Sequence, residues 1–263
     1  MDPISIIAII FGIGSILMAA ILEGTSVGSL IAPTAFMIIA GGTLGATMAC
    51  FSLQEILGLL STLPRIIKKP NCNPEDVYLA FGEMATLARR EGLLVLEHHE
   101  VNVNSPLLKR GIRLLVDGVE AGALKDILIE QIVTQETKIK THASILAAAG
   151  GFAPTMGIIG TVLGLVMVLG NLSNADELGP AIAVAFLATL YGISSANLIF
   201  LPLGKKLAYV AKLEATLGLM IVEGVLSIQA GDNPRMVQEK LLSLIDEKRW
   251  PMLQAQQAAD VKK

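Results

Sequence analysis

Two threonines stand inside segments otherwise fit for lipid. Thr161 lies in GFAPTMGIIGTVLGLVMVLG (151–170) and Thr189 in AIAVAFLATLYGISSANLIFLP (181–202). A threonine oxygen can ligate a cation or hold the water beside one, so the pair could serve an ion pathway. Such a pathway ordinarily carries a carboxylate within the membrane. None of the long apolar segments contains one, and Glu23 lies only at an outer rim. If ions pass, the carboxylate comes from another chain.

The same segments are rich in poor helix formers. Gly157, Gly160 and Gly164 recur at three- and four-residue steps, a single helical face bordered by Thr161. Ala181, Ala185, Ala188, Thr189, Gly192 and Ala196 make a second stripe. In lipid, helices associate by close backbone approach at small residues rather than by hydrophobic gain. Either the stripes pack on each other within one chain, or they line a crevice for a partner helix. Two stripes exceed what one helix pair needs, so the expectation is a partner-packing face of Gly157, Gly160, Gly164, Ala185, Gly192 and Ala196. Pro154 frees a backbone carbonyl one turn earlier, which a neighbour or water must satisfy. Pro202 is expected to close the last span, with Asn197 adding a polar group nearby.

These residues need elements to hold them. The chain of 263 residues is 53% hydrophobic and only 16% charged, with a mean hydropathy of +0.64. Four stretches free of Asp, Glu, Lys, Arg and His, at about 4–22, 28–50, 146–170 and 181–203, are long enough to cross a bilayer. The first holds Asp2 and no basic residue before its apolar run, which marks a retained span rather than a signal peptide. All 20 Lys and Arg fall within 51–145 or 204–263. The positive-inside rule puts both segments, and both termini, in the cytoplasm. The expected organisation is an all-α membrane protein: spans one and two at 4–50, a cytoplasmic helical domain at 51–145, spans three and four at 146–203, and cytoplasmic C-terminal helices and tail at 204–263.

Within the cytoplasmic parts the periodicity is helical throughout. Residues 53–67 place Leu53, Ile56, Leu57, Leu60 and Ile67 on one side, a helix suited to the membrane surface. Further helices are expected at about 75–97, 106–118 and 123–145, the last merging into span three. Residues 204–229 continue span four, Gly231-Asp232-Asn233-Pro234 breaks the helix, 235–248 forms a last one, and the tail beyond Trp250-Pro251 is expected to be loose. Cys50 and Cys72, on the reducing side, are free thiols. His98, His99 and His142 lack metal-ligand spacing and read as cytoplasmic surface histidines. No basic patch with interleaved aromatics points to nucleic acid. There is no nucleophile–base pair, metal site or phosphate loop, so an enzyme is not expected.

Over roughly 1–250 the chain resembles the A subunit of the bacterial flagellar stator, the MotA/PomA/MotP group, related to TolQ/ExbB. The resemblance rests on ARREGLLVLE (88–97), LLVDG (114–118), FAPTMGIIGTVLGL (152–165), DELGPAIAVAFLATLYG (176–192), LPLGKKL (201–207) and IVEGVLSIQAGDNP (221–234), in this order around four spans. It implies a bacterial inner-membrane stator in which a ring of A chains, a pentamer, surrounds a dimer of single-span B subunits. The B subunit would bring the ion-binding aspartate and a peptidoglycan-binding domain. By the same resemblance, Pro154 and Pro202 match prolines that couple ion passage to movement, and Thr161 and Thr189 match pore-facing threonines near the partner's aspartate. Arg89 and Glu97, with Arg90 adjacent, match the charged pair that contacts the rotor's torque ring. From the residues alone, those charges read as a solvated helix face. Proton-driven relatives tend to alanine at the position of Thr161, whereas sodium-driven ones resemble GTLVGL, close to GTVLGL here. The resemblance thus points to transported Na⁺ rather than H⁺, with no resident cofactor.

Two other classes fit the chain less well. A TolQ/ExbB-like proton-driven energiser of outer-membrane work would have one span before its main cytoplasmic segment, and this chain has two. A self-contained channel lacks the intramembrane charge it would need.

Overall fold

The structure, a computed structural model, describes residues 4–67, 73–99, 103–170, 175–245 and 247–253. In chain order the helices are α1 (Ile4–Leu22), α2 (Pro33–Cys50), α3 (Leu53–Thr62), α4 (Pro64–Ile67), α5 (Pro74–Glu91), α6 (Pro106–Val116), α7 (Ala121–Gly170), α8 (Ala175–Ser194), α9 (Leu201–Gln229) and α10 (Pro234–Leu242). Short 3₁₀ turns lie at Val27–Leu30, Leu93–Glu97 and Glu247–Arg249, and a π-helical segment, Ser195–Phe200, joins α8 to α9. No strand occurs among the described residues. Four helical stretches are long and apolar enough to cross a membrane. The chain is an all-α, multi-pass membrane protein.

It divides into two compact units, one of residues 1–69 and 139–210, the other of 70–138 and 211–263. Helices α7 and α9 each contribute to both.

The first unit holds the spans. None of the residues of α1 is buried. Span two is interrupted: a 3₁₀ turn ends at Leu30 and α2 starts only at Pro33, whose missing N–H suits the first helical position. Helix α3 opens with a reciprocal capping box between Ser52 and Glu55. Leu53, Leu57 and Leu60 remain exposed on it, while Leu59, Thr62 and Ile66 turn inward. The inward face covers His142, which is 2% exposed and has its Nδ1 at 2.7 Å from the Thr62 hydroxyl. That corrects the expectation of a surface histidine. The covering helix lies 80 residues away in sequence, beyond the reach of local pattern.

The second unit is a helical domain with a core of large side chains. Tyr78, Phe81, Met84, Leu108, Leu128, Met220 and Leu241 meet in it. Side-chain caps start its helices: Ser105 Oγ accepts from the Leu108 N–H at 3.4 Å, and Asn233 Oδ1 from the Met236 N–H at 2.8 Å. Helix α5 stops at Glu91 rather than near 97, because Gly92 takes φ +89°, which side chains with a Cβ avoid. The chain then winds into the 3₁₀ turn 93–97, pinned by the buried Leu96. The C-terminal end is more ordered than expected: residues 250–253 are helical and Leu253 is fully buried in the core. The remaining tail, 254–263, and Cys72 lie outside the described residues.

Candidate functional site

The small-residue stripes of spans three and four meet each other. A methyl placed on Gly157 would lie 3.1 Å from the Ala188 carbonyl oxygen and 3.2 Å from the Thr189 Cα. On Gly164 it would meet the Ala185 Cβ at 2.5 Å, and on Gly160 the Ala188 Cβ at 2.6 Å. On Gly192 it would strike the Ala153 carbonyl oxygen at 2.5 Å. Ala185 and Ala196 are buried as well. The expected partner-packing face is therefore occupied within the chain, with α7 and α8 in backbone contact. The spacing that suggested a partner is equally the spacing that one antiparallel pair uses on both of its members.

At the edge of this contact sit the two threonines, both half-buried. The Thr161 hydroxyl lies 3.1 Å from the Gly157 carbonyl oxygen and 3.2 Å from that of Ala185. It also bonds the Thr189 hydroxyl directly. Thr161 has one hydroxyl proton for three neighbouring acceptors, and either threonine can be the donor between the two hydroxyls. The lone pairs left on the two oxygens can accept from water or ligate a cation.

Below Thr189 the helix changes pitch. In the π-helical segment Ser195–Phe200, the Ser195 hydroxyl donates to the Gly192 carbonyl at 3.1 Å, and the Asn197 amide donates to the Ile193 carbonyl at 2.9 Å. These side chains satisfy carbonyls that a wider helical turn leaves in hydrocarbon. Helix α9 runs through Pro202 to Gln229, the continuation expected for 204–229. A proline lacks its N–H and its ring crowds the carbonyl four residues back, here that of Leu198, which lies in the wider π-helical turn. Pro154 sits inside α7, half-buried, one turn before Gly157.

Sequence reasoning missed Tyr191. Its hydroxyl donates to the Leu30 carbonyl and accepts from the Ala32 N–H at 3.1 Å, bridging the break in span two. Ile31-Ala32-Pro33 within an apolar span was the available signal, since the residue before a proline resists helix.

Arg89, Arg90 and Glu97 lie in the other unit. The arginines end α5, Glu97 ends the following 3₁₀ turn, and all three are exposed. None forms an ion pair among the described residues. Leu94, between them, is 72% exposed. The structure brings Thr161 to Thr189, and the three charged residues belong to the other unit.

Two family models match the chain: the MotA/TolQ/ExbB proton channel family over residues 99–217 and the Motility protein A N-terminal family over 6–92. Motility protein A of Bacillus subtilis is 38% identical, over 94% of this chain and 92% of its own. Chemotaxis protein PomA of Vibrio alginolyticus is 34% identical, over 94% and 96%. The flagellar MotAB stator complex from Bacillus subtilis contains a chain that superposes with a TM-score of 0.86 at 36% identity, over 93% of this chain and 96% of that one.

The chain belongs to the MotA/TolQ/ExbB family. Membership makes it a channel-family membrane subunit rather than an enzyme. Within this family the match extends through both units, and the N-terminal model covers the two spans that precede the helical domain.

Proposed function

We propose that this chain is the A subunit of a flagellar stator that couples Na⁺ flow across the bacterial inner membrane to torque on the rotor. The observation that carries the ion pathway is the Thr161–Thr189 hydroxyl pair in spans that hold no ionisable residue. A hydroxyl oxygen ligates Na⁺, whereas a proton on a carboxylate needs no such ligand. The carboxylate comes from a single-span B subunit, and a pentameric ring of A chains surrounds a B dimer, with both termini of each A chain cytoplasmic. Likeness to MotAB stator chains supports the B partner.

The glycine stripes hold α7 to α8 and so shape the surface the B helix meets. Thr161 and Thr189, at its half-exposed edge, are what that helix can reach. An ion neutralises the B carboxylate and changes its fit there. Each charge crossing 100 mV releases about 2.3 kcal/mol, several times the thermal energy, enough to bias a step between near-equivalent packings. Pro154 and Pro202, flanking the threonines in α7 and α9, relay the change, and Arg89, Arg90 and Glu97 pass it to the rotor.

The test is tethered-cell rotation in a host lacking its own stators, supplied with this chain and its cognate B subunit. Rotation is expected. An assembled complex that turns nothing would contradict the stator reading and favour an energiser of outer-membrane work.

A further inference from the structure

Helix α8 is held from two sides. Thr189 and Tyr191 are two residues apart and so point about 200° away from each other around the helix. Thr189 bonds Thr161 on α7. Tyr191 reaches the other way, to the Leu30 carbonyl and the Ala32 N–H at the break in span two. Around it Leu187 and Ala188 pack with Ala32 and Ala35, and Tyr191 closes that apolar cluster. Ala32 precedes α2 without a side chain that could cap it. The phenolic hydroxyl therefore supplies both an acceptor and a donor to backbone groups that have no water to turn to in hydrocarbon. One hydroxyl bonded to two backbone atoms fixes height and rotation together.

We infer that Tyr191 is a positioning residue for the ion pathway: its hydroxyl holds α8 at the height and rotation at which Thr189 meets Thr161. This rests on the reading that those two hydroxyls serve the passing cation. It also makes α2 and α8 one body during the working cycle.

Tyr191→Phe keeps the ring and removes the hydroxyl. In the purified complex of this chain with its B subunit, amide hydrogen exchange over 28–36 should rise at least several-fold, while 77–85 in the other unit stays unchanged. Unchanged exchange over 28–36 would overturn the clamp whether or not the motor reading stands. In cells, stator units counted from speed steps should stay normal and the half-saturating concentration of the driving ion should rise at least three-fold. Speed at saturating ion should change less than two-fold. Equal half-saturation in variant and wild type would leave Tyr191 a structural bond without a positioning role. Should Tyr191→Phe fail to assemble, the double variant Ala35→Cys/Leu187→Cys, oxidised in place, decides. Continued rotation agrees with α2 and α8 moving as one, and a stall reversed by reductant overturns it.

Discussion

The two units solve packing in opposite ways. In the membrane unit Gly157 and Gly192 admit backbone: a methyl on Gly157 would lie 3.1 Å from the Ala188 carbonyl oxygen, and one on Gly192 would lie 2.5 Å from that of Ala153. In the helical unit the glycines admit side chains: a methyl on Gly224 would lie 2.5 Å from the Phe81 ring, and one on Gly111 would lie 3.1 Å from Val225 Cγ2. Among the described residues, nearly all the large, fully buried side chains belong to the second unit, and Leu207 is the exception. Water drives the second core together by burying apolar area. Lipid offers no such gain, so the spans rely on close backbone contact and on hydroxyls bonded across helices. A contact of that kind can shift between neighbouring packings with little apolar surface exposed, which suits the part of the machine that steps.

The contrast can be broken by mutation. Phe81→Ala should destabilise the helical unit most, by about 3–5 kcal/mol, since a large ring leaves a cavity. Thermal unfolding of the solubilised complex reads it, and an unaltered midpoint would mean that the core is not organised around this ring. Gly192→Val should cost about 1–3 kcal/mol by overpacking. Its effect should fall on span packing and assembled complex rather than on the helical unit, because backbone at Ala153 cannot move aside as a side chain can. Wild-type yield of assembled stators would sink the backbone-contact account.

A smaller effect is expected from pH. Lys240, hydrogen-bonded at 2.6 Å, and Ser227 hold the Asp232 carboxyl below the usual carboxylate range. A depressed carboxyl contributes stability above its unfolded pKa of about 3.9, and that contribution is lost as pH falls through the lower folded value. The pair is partly exposed, so the contribution is about 0–1 kcal/mol. Asp232→Asn should flatten the acid limb of helical-unit stability while leaving its value at pH 7 lower by no more than that. An acid limb identical in the two proteins would remove Asp232 from the account.

Least perturbing to the fold is Arg89→Glu with Glu97→Arg, since both side chains are exposed. Assembly and melting should be unchanged and torque abolished. Loss of assembly instead would make these charges structural.

How far the sequence carries the reader differs between the units for the same physical reason. The four spans are legible because water and lipid sort ionisable residues so completely: no Lys or Arg lies in any span. The helices of the second unit show in their three- and four-residue periods and caps. What was illegible depends on long-range partners. Which face the glycine stripes meet, the burial of His142 beneath α3, the bridge from Tyr191 to Leu30 and the seating of Leu253 are contacts between distant segments. The π-helical turn before Pro202 escaped because a helical period of four or five residues leaves the same apolar run in sequence. Thr161 and Thr189 were legible as residue types. Their direct bond across α7 and α8 was not.

Whether the hydroxyl pair serves a sodium ion is read from motor speed against external Na⁺ at constant pH and constant membrane potential, in wild type and Thr161→Ala. Speed should rise and saturate with Na⁺ in the wild type. In the variant the half-saturating concentration should be raised about ten-fold or more, the loss of roughly 1.4 kcal/mol of ion binding. Speed indifferent to Na⁺ and abolished by a protonophore would contradict the sodium reading, leaving Thr161 and Thr189 to hold the spans together while protons do the work.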